Sequence, residues 1–236
     1  MTGRIVMITG GNRGIGLACA RRFAAQGDQV AVTFHSSPPP DDLFSVRCDV
    51  ADPAQVDEAC AAVEAEFGGP IEILVANAGI ARDGLIMRTS EDDWSAMIET
   101  NLGGAYRVAK KVSRGMLKAR QGRIIFISSV VGLLGSAGQA GYAASKAGLV
   151  GLARSLAREL ASRSITVNVI APGPVMTDMM TKVGDDRLAD VVSVVPLGRA
   201  AEPDEIAGVV SFLASPDAAY ITGAVVPVDG GLGMGH

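Results

Sequence analysis

The sequence predicts an α/β fold, a doubly wound parallel sheet of seven strands in three layers, α/β/α. Two observations predict this class of fold. Short runs of branched apolar residues alternate with longer helical segments along nearly the whole chain. The runs lack polar alternation, which is typical of parallel strands that helices cover on both faces.

Seven apolar runs are predicted to form the strands of this sheet. In chain order they span residues 4–9, 29–34, 43–47, 71–76, 122–128, 165–171 and 224–228. Helical segments lie between them. Residues 18–26 follow the first strand, and Pro53, a residue favoured in the first turn of a helix, begins one that runs to Glu66. This βαβ order predicts parallel neighbours and helices on both faces of the sheet.

The chain is predicted to form a single domain over residues 1–236. No change in composition marks a second domain, and the proline-rich stretch 36–42 is too short for a linker. Residues 176–195 lack a clear strand pattern and begin just after a strand ends. Ligands of doubly wound sheets bind beyond the carboxyl ends of the strands, so we expect this segment to be a substrate lid.

Composition and charge exclude several classes of function. Hydrophobic residues make up 48% of the chain and charged residues 19%, which is enough apolar material for a sizeable core. A formal net charge of −4 argues against binding to nucleic acid or to anionic membranes. The 3 cysteines and 2 histidines show no metal-binding or disulfide pattern, so we expect no metal. With neither a secretion signal nor a membrane-spanning apolar stretch, we expect a cytoplasmic protein.

A glycine-rich turn after the first strand predicts a phosphate-binding site. Residues 9–16 have the sequence TGGNRGIG. Gly10 allows a sharp turn, Gly14 lets the backbone approach a pyrophosphate, and Gly16 lets the helix pack closely. The helix N-terminus would offer N–H groups and a positive dipole end to the phosphates. A glycine turn without a ligand is the alternative, which the position between strand and helix disfavours.

The residues after the second strand favour NADP(H) over NAD(H). A cofactor with a free ribose 2′-hydroxyl usually meets an acidic residue roughly 20 residues beyond the glycines. This chain has His35 there, between Phe and Ser, and the nearest carboxylates, Asp41 and Asp42, follow three prolines. Arg13, inside the glycine turn, can bind a 2′-phosphate with two hydrogen bonds. The alternative is that Arg13 is an ordinary solvated surface residue.

Ser129, Tyr142 and Lys146 are candidates for a catalytic group. Tyr142 and Lys146 are four residues apart and share one face of a predicted helix. A cation about 4 Å from a phenol contributes about 4 kcal/mol at an effective dielectric constant of 20, or roughly three pKa units. We therefore expect Lys146 to lower the pKa of Tyr142 toward that of a general acid or base. Lys146 can also donate to ribose hydroxyls, and Ser129 would hold the substrate oxygen beside the phenol.

Each of these features alone has an ordinary structural explanation. A Tyr-x-x-x-Lys pair is usually an amphipathic tyrosine beside a solvated lysine, and two serines at a strand end usually form a turn. Their occurrence together with the glycine turn, in one βαβ series and in this order, favours a catalytic site.

The motifs resemble those of the short-chain dehydrogenase/reductase family over essentially the full chain, which implies a Rossmann fold. Within that family, residues 7–16, 208–215 and 228–236 are most similar to 3-oxoacyl-acyl-carrier-protein reductases of the actinobacterial, mycolate-pathway branch. The resemblance rests on the turn at residues 9–16, Cys48-Asp49-Val50, Asn77-Ala78-Gly79, Asn101, Ser129, Tyr142, Lys146 and Pro172-Gly173.

This resemblance implies a role for each matching residue. Ser129, Tyr142, Lys146 and Asn101 would be catalytic, with Asn101 anchoring a water molecule in a proton relay to Lys146. Residues 172–177 would border the nicotinamide. The cofactor-binding set that the resemblance implies is Gly10, Asn12, Arg13, Gly14, Ile15, Gly16, His35, Asp49, Val50, Asn77, Ala78, Gly79, Tyr142, Lys146, Pro172, Gly173, Val175 and Thr177, with Asp49 and Val50 at the adenine and Val175 and Thr177 near the carboxamide.

Three residues depart from the pattern of that branch. His35 stands where an arginine usually binds the 2′-phosphate, so a preference for NADPH rests more on Arg13. Gly141 replaces the usual Asn before the catalytic Tyr. Pro174 replaces the usual aromatic residue after Pro172-Gly173, which affects the expected shape of the lid.

The resemblance implies NADPH-dependent reduction of 3-oxoacyl thioesters, on acyl carrier protein or CoA, to 3-hydroxyacyl thioesters in fatty acid biosynthesis. Arg120 and Arg163 match carrier-binding positions and are expected on the active-site side of the sheet, with solvated arginines as the alternative. The family is typically tetrameric through the Tyr142 helix and the C-terminal strand. The resemblance therefore implies that Val226 and Val228 of that strand take part in the contact between subunits. A monomer with this helix in its core is the alternative.

Two other functions remain open at this point. One is a reductase of another ketone or alcohol, such as a sugar or a steroid, since the cofactor-binding half says little about the substrate. The other is a non-catalytic dinucleotide-binding regulator, which the presence of Ser129, Tyr142 and Lys146 disfavours.

Overall fold

A computed structural model of the chain describes residues 3–40, 43–181 and 185–234, without the side chains of residues 179, 181 and 185–188. Asp41 and Asp42, the carboxylates considered for the cofactor ribose, lie outside the described residues. The segment predicted to be a lid, 176–195, is described apart from residues 182–184.

Seven strands form one fully parallel sheet, which confirms the predicted fold class. The spatial order is β3-β2-β1-β4-β5-β6-β7. All seven predicted runs contain a strand, with ends that differ by up to two residues. The strands are β1 Ile5–Ile8, β2 Gln29–Phe34, β3 Phe44–Arg47, β4 Ile73–Ala76, β5 Gly122–Ile127, β6 Ile165–Pro172 and β7 Val225–Val228.

Helices connect the strands and cover both faces of the sheet, so that the fold is a three-layer Rossmann fold. None of the helices within the described ranges is long and apolar enough to cross a membrane. Short 3₁₀ turns lie at Ile86–Arg88, Ala161–Arg163 and Pro216–Ala218, and a π-helical segment spans Ile98–Gly104. The α-helices are α1 Gly14–Ala25, α2 Pro53–Phe67, α3 Glu91–Met97, α4 Ala105–Ala119, α5 Val131–Leu134, α6 Ala140–Leu160, α7 Asp178–Thr181, α8 Asp185–Ser193 and α9 Pro203–Leu213.

Two apolar cores, one on each face, stabilise the sheet. Successive side chains of a strand point to opposite faces, so neighbouring residues enter different cores. Met7 of β1 packs in the core that α2, α4 and α6 cover, whereas Ile8 packs with Phe23 in the core beneath α1 and α9. Every residue of β1, β4 and β6 is buried, which explains why their sequences lack polar alternation.

The strand order reverses at β1, which pairs with β2 on one side and β4 on the other. In doubly wound sheets this reversal opens a crevice beyond the carboxyl ends of the strands. The glycine turn follows β1, Asn77 follows β4, Ser129 follows β5, and Pro172 ends β6. The fold therefore brings the predicted site residues to one edge of the sheet.

Candidate active site

The glycine turn has a conformation that only glycines allow. Gly10 and Gly14 have positive φ angles of 63° and 52°. A Cβ atom at Gly16 would lie 2.5 Å from the carbonyl oxygen of Gly10 and 2.6 Å from Nδ2 of Asn77. The turn thus packs closely against the start of α1, and it fits the pyrophosphate site that the sequence predicts.

Asn77 and Thr9 join the glycine turn to the end of β4. The Asn77 amide donates to the carbonyl oxygens of Thr9 and Gly10, at 3.0 Å each. The Thr9 hydroxyl accepts from the backbone N–H groups of Asn77 and Ala78, also at 3.0 Å each. Thr9 is buried and was not among the predicted site residues, although a polar residue at the end of a buried apolar strand is a signal that could have identified it.

The residues that were predicted to bind the adenine and the 2′-phosphate follow β1, β2 and β3. Nε2 of His35 is 3.8 Å from a carboxylate oxygen of Asp49, so these two predicted residues are neighbours. Arg13 is exposed at the N-cap of α1, and the Asn12 amide donates to the carbonyl of Ser37. Ile15, at the start of the helix, is half-buried.

Val50 differs from the other predicted adenine contacts. Its side chain is buried in the core, and a Cβ atom at Gly104 would lie 2.5 Å from its Cγ2 methyl carbon. This side chain therefore packs against the π-helical segment rather than facing solvent in the crevice.

The chain from the end of β6 onward contacts both the turn after β5 and the glycine turn. The Val130 N–H donates to the carbonyl of Pro172 at 2.8 Å, which ties this segment to the turn after β5. A Cβ atom at Gly173 would lie 2.8 Å from Cα of Asp229, and one at Gly14 would lie 3.2 Å from the Thr177 methyl carbon. The structure thus brings Thr177 to the glycine turn.

Val175, which was also predicted to approach the carboxamide, is buried. It pairs with Ala201 in an isolated parallel β-bridge. The backbone thus packs closely at Gly16 and Gly173, and the N-terminus of α1 lies beside the glycine turn, an arrangement that fits the predicted binding of a pyrophosphate.

Tyr142 and Lys146 lie on one face of α6, as their spacing predicts. Nζ of Lys146 is 5.8 Å from the centroid of the Tyr142 ring. Lys146 is buried, and its ammonium group donates to the carbonyl oxygen of Ile127 at 2.9 Å. Ser129, two residues beyond that carbonyl, is also buried and forms a hydrogen bond with the Tyr142 side chain.

The predicted effect of Lys146 on Tyr142 is wrong for this arrangement. Burial raises the pKa of Tyr142, the hydrogen bond with Ser129 lowers it, and the charge of Asp83 raises it, with a net upward shift. Burial also lowers the pKa of Lys146 to about 8. Spacing alone identified the neighbours but not the desolvation, which disfavours the charged form of both groups.

Asn101 lies in the π-helical segment and is fully hydrogen-bonded through its side chain. Its amide donates to the carbonyl of Ile80 and to Oγ of Ser145, at 2.9 Å each, and its carbonyl accepts from the N–H of Ile80 at 2.8 Å. The Ser145 hydroxyl donates in turn to the carbonyl of Tyr142. Ser145 was not predicted, though its position three residues after Tyr142 is the spacing that places it on the same helix face.

A glycine at position 79 leaves room between two of these polar groups. A Cβ atom at Gly79 would lie 3.2 Å from both Oδ1 of Asn101 and Nζ of Lys146. Asn101 and Lys146 therefore face the same small space beside the end of β4, although Asn101 forms its hydrogen bonds elsewhere.

Arg120 and Arg163 do not lie on the active-site side, which corrects the prediction. Arg120 ends α4 just before β5, and Arg163 lies in the 3₁₀ turn just before β6. Ser129 follows the other end of β5, a strand of 6 residues. At a rise of about 3.3 Å per residue, roughly 20 Å separate the two edges of the sheet. Both residues precede strands in the sequence, and that pattern already indicates the amino edge.

Comparisons with known proteins show what the whole chain is similar to. A family model described as Enoyl-(Acyl carrier protein) reductase matches residues 10–233. The chain is 54% identical over 234 residues to the 3-oxoacyl-[acyl-carrier-protein] reductase MabA of Mycobacterium tuberculosis, covering 99% of this chain and 94% of that protein. It is 48% identical over 240 residues to the 3-oxoacyl-[acyl-carrier-protein] reductase FabG of Escherichia coli, covering 98% of each.

Both relatives match over almost their whole length, and the sheet has the parallel seven-stranded order that the motifs imply. The chain belongs to the short-chain dehydrogenase/reductase family.

Proposed function

We propose that the protein is an NADPH-dependent 3-oxoacyl-acyl-carrier-protein reductase of fatty acid biosynthesis, acting in the cytoplasm. It would reduce the ketone of a 3-oxoacyl thioester to a 3-hydroxyacyl thioester. The observation that carries the proposal is the convergence of Ser129, Tyr142 and Lys146 at the carboxyl edge of the sheet, beside the glycine turn. The names of the relatives support the substrate class.

Tyr142 is the proposed proton donor. When bound, NADPH supplies a hydride to the ketone carbon, so the oxygen must gain a proton. Burial raises the pKa of the phenol, so the phenol is protonated at neutral pH and donates only when hydride transfer makes the ketone oxygen strongly basic. Its hydrogen bond with Ser129 allows both hydroxyls to hold the same ketone oxygen.

Lys146 is the proposed source of the next proton and a ligand of the cofactor ribose. Its pKa of about 8 lies close to physiological pH, so the amine can release and regain a proton there. One of its three donors is used by the carbonyl of Ile127, which fixes the side chain and leaves donors for ribose hydroxyls.

The proposed site for the 2′-phosphate combines Arg13 and His35. Arg13 is exposed at the N-cap of α1, where the helix dipole also favours an anion. His35 is exposed beside Asp49 at the end of β2. The Asp49 carboxylate would repel a phosphate bound here. We assign to Arg13 the role of offsetting that negative charge.

An acyl carrier protein or acyl-CoA remains the proposed partner. Arg120 and Arg163 are not proposed as carrier contacts for the site of their own chain, because they lie at the opposite edge of the sheet. The segment from residue 176 to 195 is the proposed lid, since it follows β6 at the active-site edge and contains the short helices α7 and α8.

Oxidation of NADPH in the presence of thioester substrates tests the proposed function. Acetoacetyl-CoA carries the ketone that the proposal requires, whereas crotonyl-CoA carries the double bond that an enoyl reductase would reduce. We expect turnover with acetoacetyl-CoA and not with crotonyl-CoA. Turnover of crotonyl-CoA alone, or of a sugar or steroid ketone alone, would replace the proposed substrate. Binding of NADPH without turnover of any of them would instead support a regulatory protein.

A further inference from the structure

Two hydrogen bonds that do not involve the catalytic residues lie just before the helix turn that holds Tyr142. They join the β4 loop, defined as residues 80–88, to the α6 approach, defined as residues 135–139. The Gln139 amide donates to a carboxylate oxygen of Asp83 at 2.9 Å, and the N–H of Gly84 donates to the carbonyl of Gly138 at 2.8 Å. These two hydrogen bonds are called the latch below.

The latch acts on the first turn of α6. Gln139 is the N-cap of that helix, its carbonyl accepts from the N–H of Ala143, and Tyr142 is the third helical residue. Gly135 and Gly138 have φ angles of 76° and 80°, so the α6 approach is an irregular turn that glycines allow. The latch ties this turn to another element at the point where α6 begins.

The other end of the same loop is also tied to α6. Asn101 bonds both backbone groups of Ile80, at the start of the β4 loop, and donates to Ser145 of α6. The β4 loop is thus tied directly to Gln139 and, through Asn101, to Ser145, three positions on either side of Tyr142. Two ties on opposite sides of one residue restrict both the rotation and the translation of its helix turn.

We propose that Asp83 and Gln139 are positioning residues for Tyr142, and that the latch fixes the phenol against Ser129. This inference rests on the proposed function only for the use of the phenol as proton donor. The two hydrogen bonds of the latch are present in the folded chain whatever reaction it catalyses. Neither residue needs to touch substrate or cofactor for this role.

The charge of Asp83 gives the latch a second measurable effect. Among the described residues, Lys146 on the same helix and Asp83 in the β4 loop are charged groups that lie near the phenol. Arg82, next to Asp83 in the chain, is ion-paired with Asp93 of α3. The negative charge of Asp83 raises the pKa of Tyr142. Replacement of the carboxylate by an amide should therefore lower that pKa while the latch stays closed.

Three variants separate the effect of the hydrogen bond between Gln139 and Asp83 from the effect of the Asp83 charge. Gln139→Glu places two carboxylates together and removes the side-chain hydrogen bond of the latch. Asp83→Asn keeps an oxygen that accepts from Gln139 but removes the charge. The double variant Asp83→Asn with Gln139→Glu restores the bond with donor and acceptor exchanged. Glu66→Gln, at an exposed carboxylate of α2, is the matched control.

The first readout is the kinetics of acetoacetyl-CoA reduction. We expect Gln139→Glu to lower kcat about tenfold, because a small displacement of the proton donor is costly in rate. The KM for NADPH should stay within about twofold of the parent value, since the latch lies away from the glycine turn. The double variant should recover most of the lost kcat, and Asp83→Asn should shift the pH profile of kcat to lower pH.

The second readout is independent of activity. The chain has 3 tyrosines, so labelling their ring Cζ atoms with ¹³C gives three resonances, and Tyr142→Phe identifies the one of interest. We expect the Tyr142 resonance to move in Gln139→Glu and to return in the double variant, and its titration to occur at lower pH in Asp83→Asn.

A Tyr142 resonance that is unchanged in Gln139→Glu, or that the double variant fails to restore, overturns the latch. A parent protein without activity on acetoacetyl-CoA overturns the proposed function instead, and the resonance then still tests the latch.

Discussion

Lys146 is a buried amine, and its burial destabilises the charged form. Its pKa of about 8 in the folded protein lies below its ordinary value of 10.5, with burial as the cause. Between these two values the unfolded chain binds a proton that the folded protein has released, so the free energy of unfolding rises with pH across this window. Below it both states hold the proton and the cost of the buried charge is complete.

We therefore expect Lys146→Met to stabilise the protein at pH 7 while it abolishes activity. The pKa difference corresponds to about 3 kcal/mol, of which the lost hydrogen bond to Ile127 offsets a part, leaving a gain of about 1–2 kcal/mol. Urea unfolding at neutral and at alkaline pH measures this, with Lys118→Met, at an exposed lysine of α4, as the control. A variant less stable than the parent at neutral pH would show that the buried charge costs nothing.

Arg13 is the residue on which the choice of cofactor depends. Because NADH lacks the 2′-phosphate, Arg13→Ala should raise the KM for NADPH by about tenfold or more and leave the KM for NADH nearly unchanged. Arg21→Ala, at an exposed arginine further along α1, should change neither. An equal loss for both cofactors would assign Arg13 to the pyrophosphate or to the helix start rather than to the 2′-phosphate.

At the scale of elements, the site depends on how closely α1 approaches the turn before it. Gly16 lies where a Cβ atom would meet backbone of the same turn at 2.5 Å. Gly208, inside α9, is different, because its nearest neighbour would be the end of the Arg22 side chain at 3.7 Å. Two glycines in helices thus have opposite roles, one required by packing and one merely tolerated.

Gly16→Ala should destabilise the protein by about 2–3 kcal/mol and abolish NADPH binding, because the turn must open to admit the methyl group. Gly208→Ala should stabilise it by about 0.5–1 kcal/mol through helix propensity alone. Thermal unfolding and the fluorescence of bound NADPH give both quantities. If Gly16→Ala bound NADPH as the parent does, the close approach of α1 would have no part in the site.

At the scale of the whole molecule, the side of the sheet that β7 forms is incompletely covered within one chain. β7 is the edge strand, its residues are half-buried or exposed, and Tyr220 shortly before it is exposed. On α6, Leu152 and Leu156 pack against the core of their own chain, whereas Gly151 is exposed. A tetramer that covers β7 and α6 remains a prediction.

A tetramer of this 24.2 kDa chain has a mass of about 97 kDa. Light scattering coupled to size-exclusion chromatography at micromolar concentration should give that value. A mass near that of one chain would mean that these exposed residues face solvent, and the tetramer prediction would be wrong.

Much of this architecture could be predicted from the sequence because it follows from local patterns. Continuous apolar runs marked the strands, and the glycine turn marked where the first helix begins. The location of Ser129, Tyr142 and Lys146 followed from strand order and from helix geometry.

The parts that the sequence did not predict depend on burial and on tertiary contacts. The direction of the Tyr142 pKa shift depends on desolvation, which spacing does not contain. The π-helical segment that holds Asn101 has no distinct pattern, and the contact between Asp83 and Gln139 joins two loops 56 residues apart. The prediction for Arg120 and Arg163 was wrong for a different reason. Both residues stand just before strands in the sequence, so their position at the amino edge of the sheet could have been predicted.

The central claim is that the Tyr142 phenol delivers the proton to a ketone oxygen in the cofactor crevice. A single-turnover measurement of NADPH oxidation with acetoacetyl-CoA tests it most directly in the parent and in Tyr142→Phe, beside the affinity of each for NADPH. We expect the rate to fall by at least about a hundredfold in Tyr142→Phe, with the affinity nearly unchanged. A rate close to that of the parent would contradict the claim and remove Tyr142 from the reaction.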